Sequence, residues 1–65
     1  MIYKIEYDNG KCCNYANGRV DLLEWLQLLN DEDITDIRKV YKSGVTDSVL
    51  EKYLDYIDKV KRKAE

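Results

Sequence analysis

Between Ile2 and Tyr7 the chain alternates, with Tyr3, Ile5 and Tyr7 on one side of an extended backbone and Ile2, Lys4 and Glu6 on the other. This is the period-two pattern of a strand with one buried face. Asp8-Asn9-Gly10 follows; Asn and Gly tolerate the positive φ that a tight hairpin demands, so the chain is expected to turn back there. A second strand is predicted from Lys11 to Ala16, with Cys13 and Tyr15 sharing one face and Cys12, Asn14 and Ala16 the other. Assigning the Tyr15 face to the core buries Cys13 and leaves Cys12 the more accessible thiol.

The period then changes. Asn17 and Gly18 end the strand and can cap a helix over Arg19 to Asn30, where Leu22, Leu26 and Leu29 fall at i, i+4 and i+7 and Leu23 widens the stripe. Asp21, in its first turn, complements the positive end of the helix dipole. The stretch Asn30 to Asp36 is rich in turn formers and is expected to be a connector holding Asp31, Glu32, Asp33 and Asp36. A short third strand is predicted over Asp36 to Lys42, then a loop punctuated by Gly44, with Thr46 or Ser48 as the cap of a second helix. Ser48 and Glu51 have the spacing of a capping box. That helix, Asp47 to Lys63, has Leu50, Tyr53, Leu54, Ile57, Val60 and Ala64 on its apolar stripe, with Val49 and Tyr56 off it. Lys59, Lys61, Arg62 and Lys63 suit its negative end.

The predicted order is therefore ββαβα, an α+β fold. A right-handed crossover from strand two over helix one sets strand three beside strand one. The result is a three-stranded antiparallel sheet in order 2-1-3, with two helices on one face and water on the other.

Length adds that residues 1–65 are one small globular domain with room for a single modest core. Such domains lean on idealised elements, a staple or a second copy, so a homodimer is one expectation. No apolar run approaches the roughly 20 residues of a membrane span, and Met1 to Tyr7 lacks the apolar centre of a signal peptide. A cytoplasmic protein without membrane contact is expected, with both cysteines as free thiols.

Candidate chemistry is sparse. The chain has no histidine to serve as a base, no glycine-rich phosphate loop and no evident activator for a Ser or Cys nucleophile, so no enzyme is expected. Cys12 and Cys13 point to opposite faces of a strand and cannot converge on one metal, and the acids of the connector lack the spacing of a calcium loop. No metal or other cofactor is expected.

Charge is distributed unevenly. Residues 1 to 36 carry three basic and eight acidic side chains, and residues 37 to 65 carry eight basic and five acidic. Six tyrosines and one tryptophan without phenylalanine form an amphipathic aromatic set suited to interfaces. Asp21, Glu24, Trp25, Leu28, Asp31, Glu32, Asp33 and Asp36 form the expected partner-binding surface. Arg38, Lys39, Lys42, Lys59, Lys61, Arg62 and Lys63 form the alternative, nucleic-acid-binding one.

The Lys, Asn, Asp, Tyr and Ile vocabulary, and the plan "YKIEYDNGK" followed by a Trp-bearing helix, resemble small accessory proteins of bacteriophages and mobile elements, including anti-CRISPR and other anti-defence inhibitors. The resemblance covers the general plan and rests on no diagnostic motif. It implies a stoichiometric inhibitor or adaptor in a bacterial host, occluding a nucleic-acid or partner site on a host protein, with acids standing in for phosphates. The competing classes are a nucleic-acid-binding regulator using the basic C-terminal half and a self-associating structural protein.

Overall fold

The computed structural model describes residues 1–64; the side chain of Ala64, assigned to the apolar stripe by its spacing, lies outside what is described. The elements are β1 (Ile2–Tyr7), β2 (Cys12–Asn17), α1 (Arg19–Leu28), β3 (Ile34–Val40), β4 (Thr46–Ser48) and α2 (Leu50–Ala64). They form a small α+β domain with an antiparallel sheet in the order β2-β1-β3-β4.

The β1–β2 turn is where the Asp-Asn-Gly signal placed it. Asp8, Asn9 and Gly10 have φ of 55°, 58° and 81°, in the left-handed region that these residue types enter most readily. Tyr3 pairs with Ala16 on one side and Lys39 on the other, and Ile5 pairs with Asn14 and Ile37. Directly opposed residues share a face, so the buried Tyr3, Ile5, Ala16 and Ile37 lie on one side of the sheet. Leu22 and Leu26 of α1, Tyr53 of α2 and Val49 just before it complete the same core, which both helices therefore cover. Tyr3 and Tyr53 meet edge to face, with ring centroids 6.3 Å apart.

Several sequence expectations are corrected. The sheet has four strands rather than three, because the Gly44 loop is a hairpin. Gly44 adopts φ 89° and donates to Tyr41 C=O at 2.9 Å, while Tyr41 N–H donates to Val45 C=O at 2.9 Å. That turn pairs Thr46–Ser48 with Val40–Arg38. Asp47 and Ser48 are consequently strand residues, and α2 starts at Leu50. Ser48 does not cap it; its hydroxyl donates to Asp36 Oδ1 at 2.6 Å. The buried stripe of α2 is rotated from the expected one, since Val49 is buried and Leu54 is 50% exposed.

The face assigned to β2 is also reversed. Ala16 is fully buried, Tyr15 is 59% exposed, and both cysteines are exposed. The cause is the approach of α1: Gly18 reaches φ 91° and turns the chain straight into the helix, which lies close over β2 and leaves room beneath it for alanine rather than tyrosine. Among the described residues no side chain caps α1. Asp21 instead reaches back from its first turn and accepts the Asn17 N–H at 2.8 Å. No helix among the described residues is long and apolar enough to cross a membrane.

Candidate functional site: the outer face of α1

α1 has apolar residues at six of its ten positions: Val20, Leu22, Leu23, Trp25, Leu26 and Leu28. Leu22 and Leu26 are buried, and Leu23 and Trp25, with Leu29 just beyond, pack partly against the core. Val20 and Leu28 have no such cover and are 73% and 71% exposed. At 100° per residue they fall on the side opposite Leu22 and Leu26, with Glu24 between them. The helix therefore carries a core stripe and a second, open apolar pair.

The chain leaves α1 through a compact turn. Leu29 N–H donates to Trp25 C=O at 2.9 Å, Glu32 N–H to Leu29 C=O at 3.0 Å, and Asn30 Nδ2 to Gln27 C=O at 2.9 Å. This holds Asp31, Glu32 and Asp33 at the C-terminal end of the helix, with Asp31 and Asp33 exposed and Glu32 half-buried. Among the described residues none of Glu24, Asp31, Glu32 and Asp33 forms an ion pair.

Of the eight residues expected at the partner surface, the structure gathers seven on or next to α1 and separates one. Asp21 is occupied at the start of the helix by the Asn17 N–H. Asp36 lies in β3, opposite Glu6, on the sheet face away from the helices, because the strand starts earlier than expected. There it accepts from Arg38 Nη1 at 3.0 Å, from Ser48 Oγ at 2.6 Å and from its neighbour Ile37 N–H at 2.9 Å. Burial pushes the Asp36 carboxyl up, but the bonds from Ser48, Arg38 and Ile37, with the Arg38 charge, outweigh it and hold the group below its ordinary 3.8. Asp36 is thus the anchor of an internal polar network on the open sheet face.

The basic set is dispersed. Arg38 sits in that same network, bonded also to Thr46 Oγ1 at 2.8 Å. Lys39, one residue on, points to the helix side, its ammonium 5.3 Å from the Tyr41 ring. Lys42 lies beside Met1 and Ile2, near the start of α1. Lys59 and Lys63 are at the other end, where they border a cleft of about 360 Å³ with Gln27, Asn30, Tyr56 and Val60. Arg62 pairs with Asp58 of its own helix at 2.7 Å, and Lys61 is half-buried. Among the described residues the basic side chains form no single patch.

The cleft escaped sequence reasoning. It exists because α1 and α2 run side by side in the same direction, tied by Gln27 Nε2 donating to Tyr56 Oη at 2.7 Å. The sequence offered only the off-stripe position of Tyr56 as a hint. The arrangement brings the basic end of α2 next to the acidic turn after Asn30. Compared with protein-family models, with curated proteins and with solved structures, the chain matches none.

Proposed function

We propose that this chain is a non-catalytic protein-binding module that acts as a stoichiometric inhibitor or adaptor, using the outer face of α1 to engage a basic surface on another protein. The observation that carries the reading is the second apolar side of α1. A helix that is apolar on more than one side belongs between two packed elements, yet Val20 and Leu28 face solvent in the single chain. Glu24 lies between that pair and Asp31 and Asp33 follow at the end of the helix, and none of these acids forms an ion pair among the described residues. Leu28 and Val20 supply the desolvated anchor, while Glu24, Asp31 and Asp33 steer a Lys/Arg-rich partner and exclude others. A nucleic-acid-binding protein offers such a surface, and carboxylates presented to it take the place of phosphates. The anti-defence inhibitor suggested by the chain's plan is one form of this activity.

The test compares affinity captures with wild type, with Asp31→Lys plus Asp33→Lys, with Leu28→Ala and with Lys61→Glu as baits. The reading expects a bound protein that is lost with the first two variants, is retained with the third and is eluted by salt. A ligand retained by the acid-reversed bait and lost with Lys61→Glu overturns it, and if that ligand is nucleic acid the basic regulator takes its place.

A further inference from the structure

The sheet has two free edges, and the chain treats them differently. β4 is three residues long, carries Asp47 and leads through Val49 into α2; short, charged edges are how natural sheets avoid pairing with other chains. β2 is six residues long, Cys-Cys-Asn-Tyr-Ala-Asn, with no charge, no proline and no break in its register with β1.

The backbone groups that this edge offers follow from the ladder. Gly18 N–H donates to Met1 C=O at 2.7 Å, and residues of an antiparallel pair alternate between bonded and non-bonded. Cys12, Asn14 and Ala16 therefore turn their N–H and C=O toward β1, and Cys13, Tyr15 and Asn17 turn theirs outward. The Asn17 N–H agrees, being donated to Asp21 Oδ2. Among the described residues Cys13 and Tyr15 are left with both donor and acceptor free at the middle of the edge.

We propose that β2 pairs antiparallel with β2 of a second copy of this chain, with Asn14 opposite itself and Cys13 opposite Tyr15, to form one continuous eight-stranded sheet. A two-fold axis relating two antiparallel strands stands perpendicular to the sheet and passes beside a residue that meets its own copy. With Asn14 at the axis every free donor and acceptor of Cys13 and Tyr15 is matched, Cys13 with Tyr15 and Tyr15 with Cys13, in four hydrogen bonds. An axis at Tyr15 would set Cys13 against Asn17, whose N–H is taken. An axis at Cys13 would set Tyr15 against Lys11, outside the strand.

The same axis keeps the helices of both copies on one side of the joined sheet. Leu23 C=O and Gln27 face α2, where both bond to Tyr56 Oη. Asp21, Trp25 and Leu28, at i, i+4 and i+7, are then on the flank over the free edge, and the Asp21 bond to Asn17 fixes that side. Trp25 is about 9 Å along the helix from Arg19, and Asn14 is about 10 Å back along β2 from Asn17, so Trp25 sits level with the axis and faces its counterpart. At the ends of the paired strands Lys11 comes opposite Asn17 of the second copy, beside Asp21. Lys11 forms no ion pair in the single chain among the described residues, so the two ends are complementary in charge. Glu24, Asp31 and Asp33 stay outside this contact; Leu28 borders both it and the proposed partner surface, but the inference rests on the β2 edge and not on that surface.

The experiment places a cysteine at the axis: Asn14→Cys in a chain whose Cys12 and Cys13 are changed to serine. Self-opposed, non-bonded residues have Cα atoms about 4.5 Å apart, within the roughly 4.4–6.8 Å that a disulfide spans. Mild oxidation is expected to yield a covalent dimer of twice the 7.7 kDa chain, while Lys52→Cys, on exposed α2, yields none under the same conditions. Asn14→Cys gives up only the bond that Asn14 donates to Tyr7 Oη. Sedimentation equilibrium supplies the second readout: wild type is expected as a dimer and Tyr15→Pro as a monomer, because proline there deletes an outward N–H and no bond to β1. Wild type that stays monomeric, Asn14→Cys that cross-links no faster than Lys52→Cys, or a dimer indifferent to Tyr15→Pro overturns the proposal.

Discussion

Truncating Leu22 to alanine tests the core assignment most severely, because this side chain is fully buried between α1 and the sheet. The change removes three carbon groups, worth about 2.4 kcal/mol in lost transfer free energy at about 0.8 each. Adding the unfilled cavity brings the expected loss to about 3–5 kcal/mol. A chain of 65 residues has roughly 3–10 kcal/mol of total stability at about 0.05–0.15 per residue, so the loss runs from about a third of it to all of it. Urea unfolding read by the fluorescence of Trp25, the single tryptophan, is the assay. The midpoint should fall steeply with the slope unchanged. Leu54→Ala, at a half-exposed position, should cost under about 1 kcal/mol. Equal losses in the two variants, or an unmoved midpoint for Leu22→Ala, would refute the assignment of buried faces in both helices.

Two further outcomes are expected. Both thiols are exposed, so a thiol reagent should titrate two per chain without denaturant, and Cys12→Ser with Cys13→Ala should leave the urea midpoint nearly unchanged; one or no reactive thiol contradicts the face assigned to β2. The lowered Asp36 pKa stabilises the fold above the ordinary value of 3.8, and that contribution fades as pH falls through the native-state value. Asp36→Asn should therefore lower stability at neutral pH and converge on wild type at acid pH, and a pH-independent gap would show that the Ser48 and Arg38 bonds act without the charge.

How much of this was legible in the sequence depends on how local the signal is. The β1–β2 hairpin and the Leu22–Leu26 stripe were readable because turn chemistry and helical spacing act within a few residues. For β2 the alternation separated Cys13 and Tyr15 from Cys12, Asn14 and Ala16 correctly. Which set faces inward depended on how closely Gly18 lets α1 approach, and that is a tertiary fact. β4 was missed because three residues carry too little pattern to separate strand from loop, and Val49 was misplaced with it. At the candidate surface, the α1 residues and Asp31 to Asp33 were legible as a sequence-local group. Asp36 was not, since the start of β3 decides which side of the sheet it occupies. The cleft between α1 and α2 joins residues 27 and 30 to residues 56–63, and no spacing in the chain announces that meeting.

The claim that the acidic, apolar outer face of α1 is a binding surface meets its most direct test in a titration of the captured protein, purified, against wild type, Asp31→Lys plus Asp33→Lys, Leu28→Ala and Lys61→Glu at low and high salt. The account predicts that the acid reversal and Leu28→Ala each weaken binding at least tenfold while Lys61→Glu does not. It also predicts that salt weakens wild type more than the acid-reversed chain. Equal affinities for wild type and the acid-reversed chain at low salt would contradict it.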